Sequence, residues 1–124
     1  MEFTNNSKYK GNVLLESTFK FSVGIIKFCE SLNRKQKFAI SNQLIRSGTS
    51  IGANSKESQN AQSDKDFIHK LKIALKEADE TEYWLFLCLE IEDYPNPVNL
   101  INELTNIIKL LNKIISTKMR NMKA

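Results

Sequence analysis

Helical periodicity along most of the chain is the feature that most constrains its fold. Four stretches carry apolar residues at the three- and four-residue spacing of an amphipathic α-helix, and none alternates cleanly at the two-residue period of a strand. The breaks between these stretches are short, which favours antiparallel neighbours in a helical bundle. The sequence therefore predicts an all-α fold, an antiparallel up-down-up-down four-helix bundle, with all 124 residues in one domain.

Capping and breaking residues give approximate bounds for the helices. A polar N-terminal tail, residues 1–11, precedes Asn12, which is a plausible N-cap, and Ser63 is another. Prolines disfavour helix in the residue before them, so Tyr94-Pro95-Asn96-Pro97 ends the third helix. The predicted helices cover about residues 12–32, 36–60, 64–93 and 98–122. The residues expected to face the core include Leu14, Thr18, Phe21, Ile25, Cys29, Leu32, Ile40, Leu44, Ser47, Ile51, Phe67, Leu71, Ala74, Leu75, Ala78, Leu85, Leu89, Leu104, Ile107, Ile108, Leu111 and Ile115.

Composition argues against several other classes of protein. Apolar residues make up 41% and charged residues 26%, as in soluble globular domains. No uncharged run is long enough to span a membrane. Cys29 and Cys88 lie in apolar surroundings, so we expect reduced, buried thiols and a cytoplasmic location. His69 is the sole histidine, so we expect no metal site and no cofactor.

The positive charge is concentrated in the last predicted helix. Residues 1–97 carry 13 basic and 13 acidic side chains, whereas residues 98–124 carry 5 basic and 1 acidic, which gives the net charge of +4. The last segment's cations are Lys109, Lys113, Lys118, Arg120 and Lys123. Three of them, Lys109, Lys113 and Arg120, fall within an arc of about 40° opposite the apolar stripe. They are candidates for binding nucleic-acid phosphates, although a charged stripe is usually just a solvated face.

A run of small and polar residues lies within the second predicted helix. Its polar side chains fall within an arc of about 80° beside the core. They are Arg46, Ser50, Asn54 and Glu57. Glu82 is expected inside the core-facing stripe of the third helix, where a carboxylate needs a partner and Arg46 offers one. We therefore predict a structural polar network. The alternative is a pocket with carboxylates as acid and base, but no nucleophile or metal ligand accompanies them.

Gly48 and Gly52 form a smooth ridge beside that polar one. Two glycines cost a helix about 1 kcal/mol each relative to alanine, so a close packing contact should offset them. The contact could be made by another helix of the bundle or by a neighbouring chain.

The third predicted helix carries a second apolar stripe. It contains Ile73, Trp84, Leu87 and Ile91, with Glu80 beside them. Since one broad apolar face suffices in a four-helix monomer, the second stripe predicts a subunit interface. A wide core stripe and the half-exposed habit of tryptophan would explain it as well. Glu80 could face a basic residue of a neighbouring subunit, or simply solvent.

Three groups of residues carry a resemblance to a known family. They are Gln43-Leu44-x-Arg46-Ser47-x-x-Ser50-Ile51-x-x-Asn54-x-x-Glu57, Phe67-Ile68-x-x-Leu71-x-Ile73-Ala74-Leu75 and Glu80-x-Glu82-x-x-Leu85. With their order and spacing, the chain resembles the bacterial 23S rRNA intervening-sequence proteins over roughly residues 12–118. It is also similar to the accessory proteins of diversity-generating retroelements.

The resemblance implies an antiparallel four-helix bundle that assembles into a ring, commonly a homo-pentamer, without enzymatic activity. The retroelement accessory proteins are basic pentameric barrels that contact nucleic acid and a reverse transcriptase. In a ring the charged stripe would repeat in every subunit, and five copies of +4 would total about +20.

Two functional hypotheses follow. In the first, the chain is a non-enzymatic oligomer that binds the RNA or DNA backbone through the basic face of its last helix. The last helix has no aromatic residue to stack bases, so contacts to phosphates should dominate. In the second, the oligomer is a protein-interaction scaffold, and the basic face serves solubility. An enzyme is a distant third, because the one histidine has no partner to suggest catalysis.

Overall fold

The computed structural model describes residues 1–123, which form five helices. A single turn near the N-terminus precedes four long helices. In chain order they are α1 (Glu2–Asn5), α2 (Val13–Arg34), α3 (Phe38–Ser58), α4 (Asp64–Glu90) and α5 (Val98–Lys123). The side chains of Asn12 and Ser63 accept hydrogen bonds from the backbone N–H groups of Leu15 and Asp66, so both act as the N-caps that their sequence positions predict.

The four long helices form an antiparallel up-down-up-down bundle. Each packs against its neighbour in the sequence, and α2 packs against α5 to close the bundle, while α2 and α4 lie diagonally opposite one another. The prediction of an all-α four-helix bundle is therefore confirmed. Packing is most extensive between α3 and α4 and sparsest between α2 and α5.

Nearly all the predicted core positions are buried or half-buried. Phe21, Leu44 and Leu104, for example, are fully shielded from solvent. Leu89 is an exception, because it lies in the last turn of α4 and remains 41% exposed.

The structure shifts four predicted helix ends by two or three residues, and two of these shifts have a clear backbone cause. Helix α3 begins at Phe38 rather than near residue 36, since Gln36 has φ = 62°, a left-handed conformation that a right-handed helix cannot contain. Helix α4 ends at Glu90, and Ile91 has an extended backbone. Lys35 and Lys37 then hold the α4–α5 connection by ion pairs with Asp93 at 3.5 and 3.3 Å, and these contacts lower the pKa of that carboxyl group.

The polar N-terminal tail packs on the bundle. Phe3 of α1 stacks between the rings of Tyr9 and Phe19, with centroids 4.5 and 4.2 Å apart. Gly11, at φ = 86°, turns the chain into α2. The prediction missed this arrangement because isolated aromatic residues show no helical period.

The two glycines of α3 lie against α2, which settles their partner as a helix of the same chain. A β-carbon at Gly48 would lie 2.9 Å from two side-chain atoms of Ile25. One at Gly52 would lie 3.3 Å from the carbonyl oxygen of Thr18 and the hydroxyl of Ser22. Small residues therefore allow the backbones of α2 and α3 to approach closely.

Candidate functional site

The outward face of α5 presents the cations predicted to contact phosphates. Lys109, Lys113, Arg120 and Lys123 are exposed. Within residues 1–123 none of these four takes part in an ion pair, since α5 has no acidic residue in its last turns and Glu103 lies far along the helix. The face therefore carries several cations whose charge is not neutralised locally.

Lys118 differs from the other predicted cations. It is half-buried, its ammonium group lies 3.0 Å from Asp64 at the start of α4, and it lies 5.2 Å from the ring centroid of Phe67. Because its charge is already compensated, Lys118 holds the end of α5 against α4 rather than extending the basic face.

The predicted pairing of Arg46 with Glu82 is wrong. Arg46 Nη1 lies 3.3 Å from Glu77 Oε2, and its Nη2 donates to Glu80 Oε2. The same Glu80 oxygen accepts a hydrogen bond from Trp84 Nε1 at 3.0 Å. Glu82 is half-buried and makes no side-chain hydrogen bond or ion pair within residues 1–123, because its direction on α4 is rotated away from the side that faces α3.

The remaining members of the predicted network make no hydrogen bond or ion pair with the Arg46 side chain within residues 1–123. The Ser50 hydroxyl donates to the backbone carbonyl of Arg46 at 2.6 Å, and the Asn54 amide donates to that of Ser50 at 2.8 Å. Glu57 pairs with Lys70 of α4 at 3.6 Å. The polar ridge therefore satisfies its own helix and ties α3 to α4 at separate points.

The buried polar contact between α3 and α4 involves Ser47 and Thr81. Both side chains are fully buried, and their hydroxyl oxygens lie 2.9 Å apart. Thr81 also lies 2.8 Å from the backbone carbonyl of Glu77. Sequence reasoning placed Ser47 in the core but did not assign its partner, since threonine has no distinctive signal on a helix.

The predicted interface stripe of α4 lies partly against α3. Glu80 and Trp84 are half-buried and engaged with Arg46, and Trp84 packs on the core. Ile73 and Leu87 are half-buried, and Ile91 is 44% exposed beyond the end of the helix. Contacts within one chain thus account for the positions of Glu80 and Trp84. The subunit interface remains a prediction.

The more exposed aromatic residues of α4 lie beside that stripe. Tyr83 is 61% exposed and Phe86 is 45% exposed, and the acidic side chains of Asp79 and Glu90 are exposed on the same outward face. Their spacing places all four on one side of the helix. We call these four residues, with Leu87, the α4 ridge. A sequence-based search for a continuous apolar stripe misses it because acidic residues interrupt the pattern.

The two thiols face the core from α2 and α4. Both are buried and free, as predicted. Burial raises the pKa of Cys29, although a hydrogen bond with Ser41 opposes the shift, and burial together with Cys29 raises that of Cys88 to about 11. Both are therefore protonated and weakly nucleophilic near neutral pH.

Within residues 1–123, no three His, Cys, Asp or Glu side chains cluster in a way that could hold a metal ion. No helix in that range is long and apolar enough to cross a membrane.

These features define the molecule as an antiparallel four-helix-bundle protein with an uncompensated basic face on its last helix. Residues 11–114 match the sequence profile of the 23S rRNA-intervening sequence protein family, and the chain belongs to this family. No functionally curated protein matches it.

A solved structure supports the same relationship. It is the 1.70 Å crystal structure of a protein of unknown function from the S23 ribosomal protein family of Bacteroides thetaiotaomicron VPI-5482. The two sequences are 47% identical, and the match covers 83% of this chain and 98% of that one with a TM-score of 0.79. The relative's function is unknown, so the comparison supports family and fold.

Proposed function

We propose that the protein is a non-enzymatic homo-oligomer that binds the phosphate backbone of RNA or DNA through the outward face of α5. The observation that carries the proposal is the group of three exposed cations, Lys109, Lys113 and Arg120, which no acidic side chain pairs within residues 1–123. Exposed lysine and arginine bind phosphates by releasing condensed counterions, and they do so without sequence preference.

The arrangement of α5 favours binding over a purely structural role for these cations. Positive side chains near a helix C-terminus also stabilise the helix through its dipole. Arg120 and Lys123 lie in the last turn of α5, where that effect operates. Lys109 and Lys113 lie too far from the end to contribute, since the dipole effect is confined to the last turn. Their exposure without a partner is what phosphate binding requires.

Charge reversal on α5 tests this function. The triple variant Lys109→Glu, Lys113→Glu, Arg120→Glu should lose binding to a fluorescent single-stranded RNA, measured by anisotropy across a salt series. If these three side chains contact phosphates, neutralising each of them to alanine instead should reduce the log–log salt slope by about 2 in total.

A matched variant separates local contacts from net charge. Lys27, Lys72 and Lys76 are exposed on α2 and α4, and reversing them to glutamate changes the net charge equally. This control should retain most of the binding. Equal losses in the two triple variants, or retained binding in the α5 variant, would contradict the proposed interface.

A protein-interaction scaffold is the second candidate function. The α4 ridge favours it, because Tyr83 and Phe86 offer exposed aromatic surface of the kind found in protein interfaces. A scaffold would bind no RNA or DNA at physiological salt and would co-purify with a partner protein. The same salt series distinguishes the two functions.

A further inference from the structure

An elongated cavity lies where α1 covers the contact between α2 and α3. Its volume is about 430 Å³, which is within the range of small-molecule sites. Its α2 side is lined by residues from Leu15 to Ile26, which is about 16 Å at the rise of an α-helix, and Phe3 of α1 forms a further wall. We call this space the N-terminal cavity, because the N-terminal segment completes it.

The interior of the N-terminal cavity offers little to a polar group. Phe3 and Phe19 line it with aromatic surface. Its hydroxyl groups belong to Thr18, Ser22 and Thr49, and each of them donates to a backbone carbonyl of its own helix. Because these donors are already used, a polar group placed among them would lose its hydrogen bonds to water without replacing them. The body of any occupant must therefore be apolar.

Positive charge collects at one end of the N-terminal cavity. Lys56, in the last turn of α3, lines the cavity, and its ammonium group lies 5.5 Å from the ring centroid of Tyr9. The ammonium group of Lys8 lies 5.4 Å from the same centroid. Neither lysine takes part in an ion pair within residues 1–123, since Glu57, the neighbour of Lys56, pairs with Lys70 instead. Two unpaired cations therefore converge beside the cavity.

The Tyr9 phenol reports the field of these two cations. Desolvation raises its pKa, but Lys56 and Lys8 outweigh that effect, so that the pKa of Tyr9 is lowered overall. Two ammonium groups that approach one ring also repel each other, and an anion beside Tyr9 would relieve that repulsion. Tyr9 stacks on Phe3 with the ring centroids 4.5 Å apart. The cations and an apolar wall of the cavity therefore belong to one continuous surface.

We propose that the N-terminal cavity binds a small amphipathic anion, which has an elongated apolar body and one anionic head group. The body lies along the cavity toward Ile26, whose side chain is 45% exposed, and the head group lies near Lys56 and Lys8. The apolar interior and the positive charge at one end together select this chemistry. The site shares no residue with the basic face of α5, so the proposal goes beyond nucleic-acid binding and is independent of it.

Decanoate and decyltrimethylammonium test the role of charge, because they share an apolar chain and carry head groups of opposite sign. Isothermal titration calorimetry of the full chain should show that decanoate binds about ten-fold more tightly, since unpaired cations meet its head group. Lys8→Glu with Lys56→Glu should remove this preference. Lys27→Glu with Lys72→Glu, which changes the net charge equally outside the site, should keep it. All four lysines are exposed, so both variants should fold.

Ala53→Phe tests the cavity itself. Ala53 lines the cavity and is exposed on α3, so a phenylalanine there can fill part of the space without disturbing the core. This variant should bind decanoate about ten-fold more weakly. Ala39→Phe is the matched control, because Ala39 is an exposed alanine of α3 that does not line the cavity, and it should bind decanoate like the wild type.

Three results would overturn the proposal. The wild type could fail to bind decanoate in preference to decyltrimethylammonium, the lysine variant could keep that preference, or Ala53→Phe and Ala39→Phe could have equal affinities for decanoate. A change in solution mass with Ala53→Phe but not with Ala39→Phe, measured by light scattering, would assign the cavity to a contact between copies and overturn it as well. No variant alters the cations of α5, so the outcome leaves the proposed function to its own test.

Discussion

The α3–α4 and α2–α5 contacts differ in how specifically they are fixed. Between α3 and α4, the buried hydroxyls of Ser47 and Thr81 meet, and ion pairs of Arg46 and Glu57 border the contact. Between α2 and α5, residues 1–123 form no side-chain hydrogen bond or ion pair, and the helices separate into a groove.

The difference shows that directional polar contacts and non-directional apolar contacts constrain helix packing to different degrees. Buried hydroxyl pairs have strict distances and directions, so they fix the register of α3 against α4. Apolar contacts are not directional, so α2 and α5 can separate without leaving an unpaired polar group. The groove therefore lies at the contact with the fewest internal constraints.

The largest effect should come from breaking the buried hydroxyl pair. Thr81→Val keeps the side-chain shape but leaves the Ser47 hydroxyl without its partner, which should lower the free energy of unfolding by about 1–3 kcal/mol. Chemical denaturation measures it. Adding Ser47→Ala should cost less than the sum of the single changes. Thr105→Val is the control, since that exposed hydroxyl bonds only to its own helix, and an equal loss there would contradict the explanation.

A smaller effect is expected at the edge of the same contact. The sequence places Arg46 in a structural polar network beside the core, but the Arg46 side chain is 50% exposed, and solvent screens its pairs with Glu77 and Glu80. The loss should be about 0.5–1 kcal/mol, with a shift in Trp84 emission as Glu80 is released. Glu82→Gln should leave both quantities unchanged. A larger loss of unfolding free energy from Glu82→Gln than from Arg46→Ala would instead support the pairing of Arg46 with Glu82 that the sequence predicted.

The smallest effect is expected where α2 meets α5. A methyl group at Gly24 meets the end of the Leu100 side chain, which can move, and alanine favours the helix by about 1 kcal/mol. Gly24→Ala should therefore remain within about 0.5 kcal/mol of the wild type or stabilise it. Gly48→Ala gains the same helical preference but meets buried Ile25 at 2.9 Å, so thermal melting should show a clear loss. Equal melting temperatures for Gly24→Ala and Gly48→Ala would show that the α2–α5 contact is no more tolerant of an added methyl group than the α2–α3 contact.

The sequence predicted the fold well because helix formation and core burial leave a regular pattern. Phe21, Leu44 and Leu104 are buried where the periodicity places them, and Asn12 and Ser63 cap the helices they precede. The ends were less accurate at Gln36 and Ile91, since a backbone conformation at one residue has little effect on periodicity.

The candidate sites were predicted less completely. The exposure of Lys109, Lys113 and Arg120 follows from their position opposite the apolar stripe, but the pairing of Lys118 with Asp64 depends on where α4 begins in space. Likewise, a helical wheel gives the direction of Glu82 but not which helix lies on that side. Thr81 and Tyr83 carried no signal of their own.

The sequence by itself determined four amphipathic helices, their order, their core faces and the excess of positive charge on the last one, because these properties depend on neighbours along the chain. Only the tertiary structure decided that Arg46 meets Glu77 and Glu80, that Ser47 meets Thr81, and that α2 and α5 separate into a groove. These contacts join residues far apart in sequence, and their geometry depends on how each helix is rotated and spaced against its neighbours.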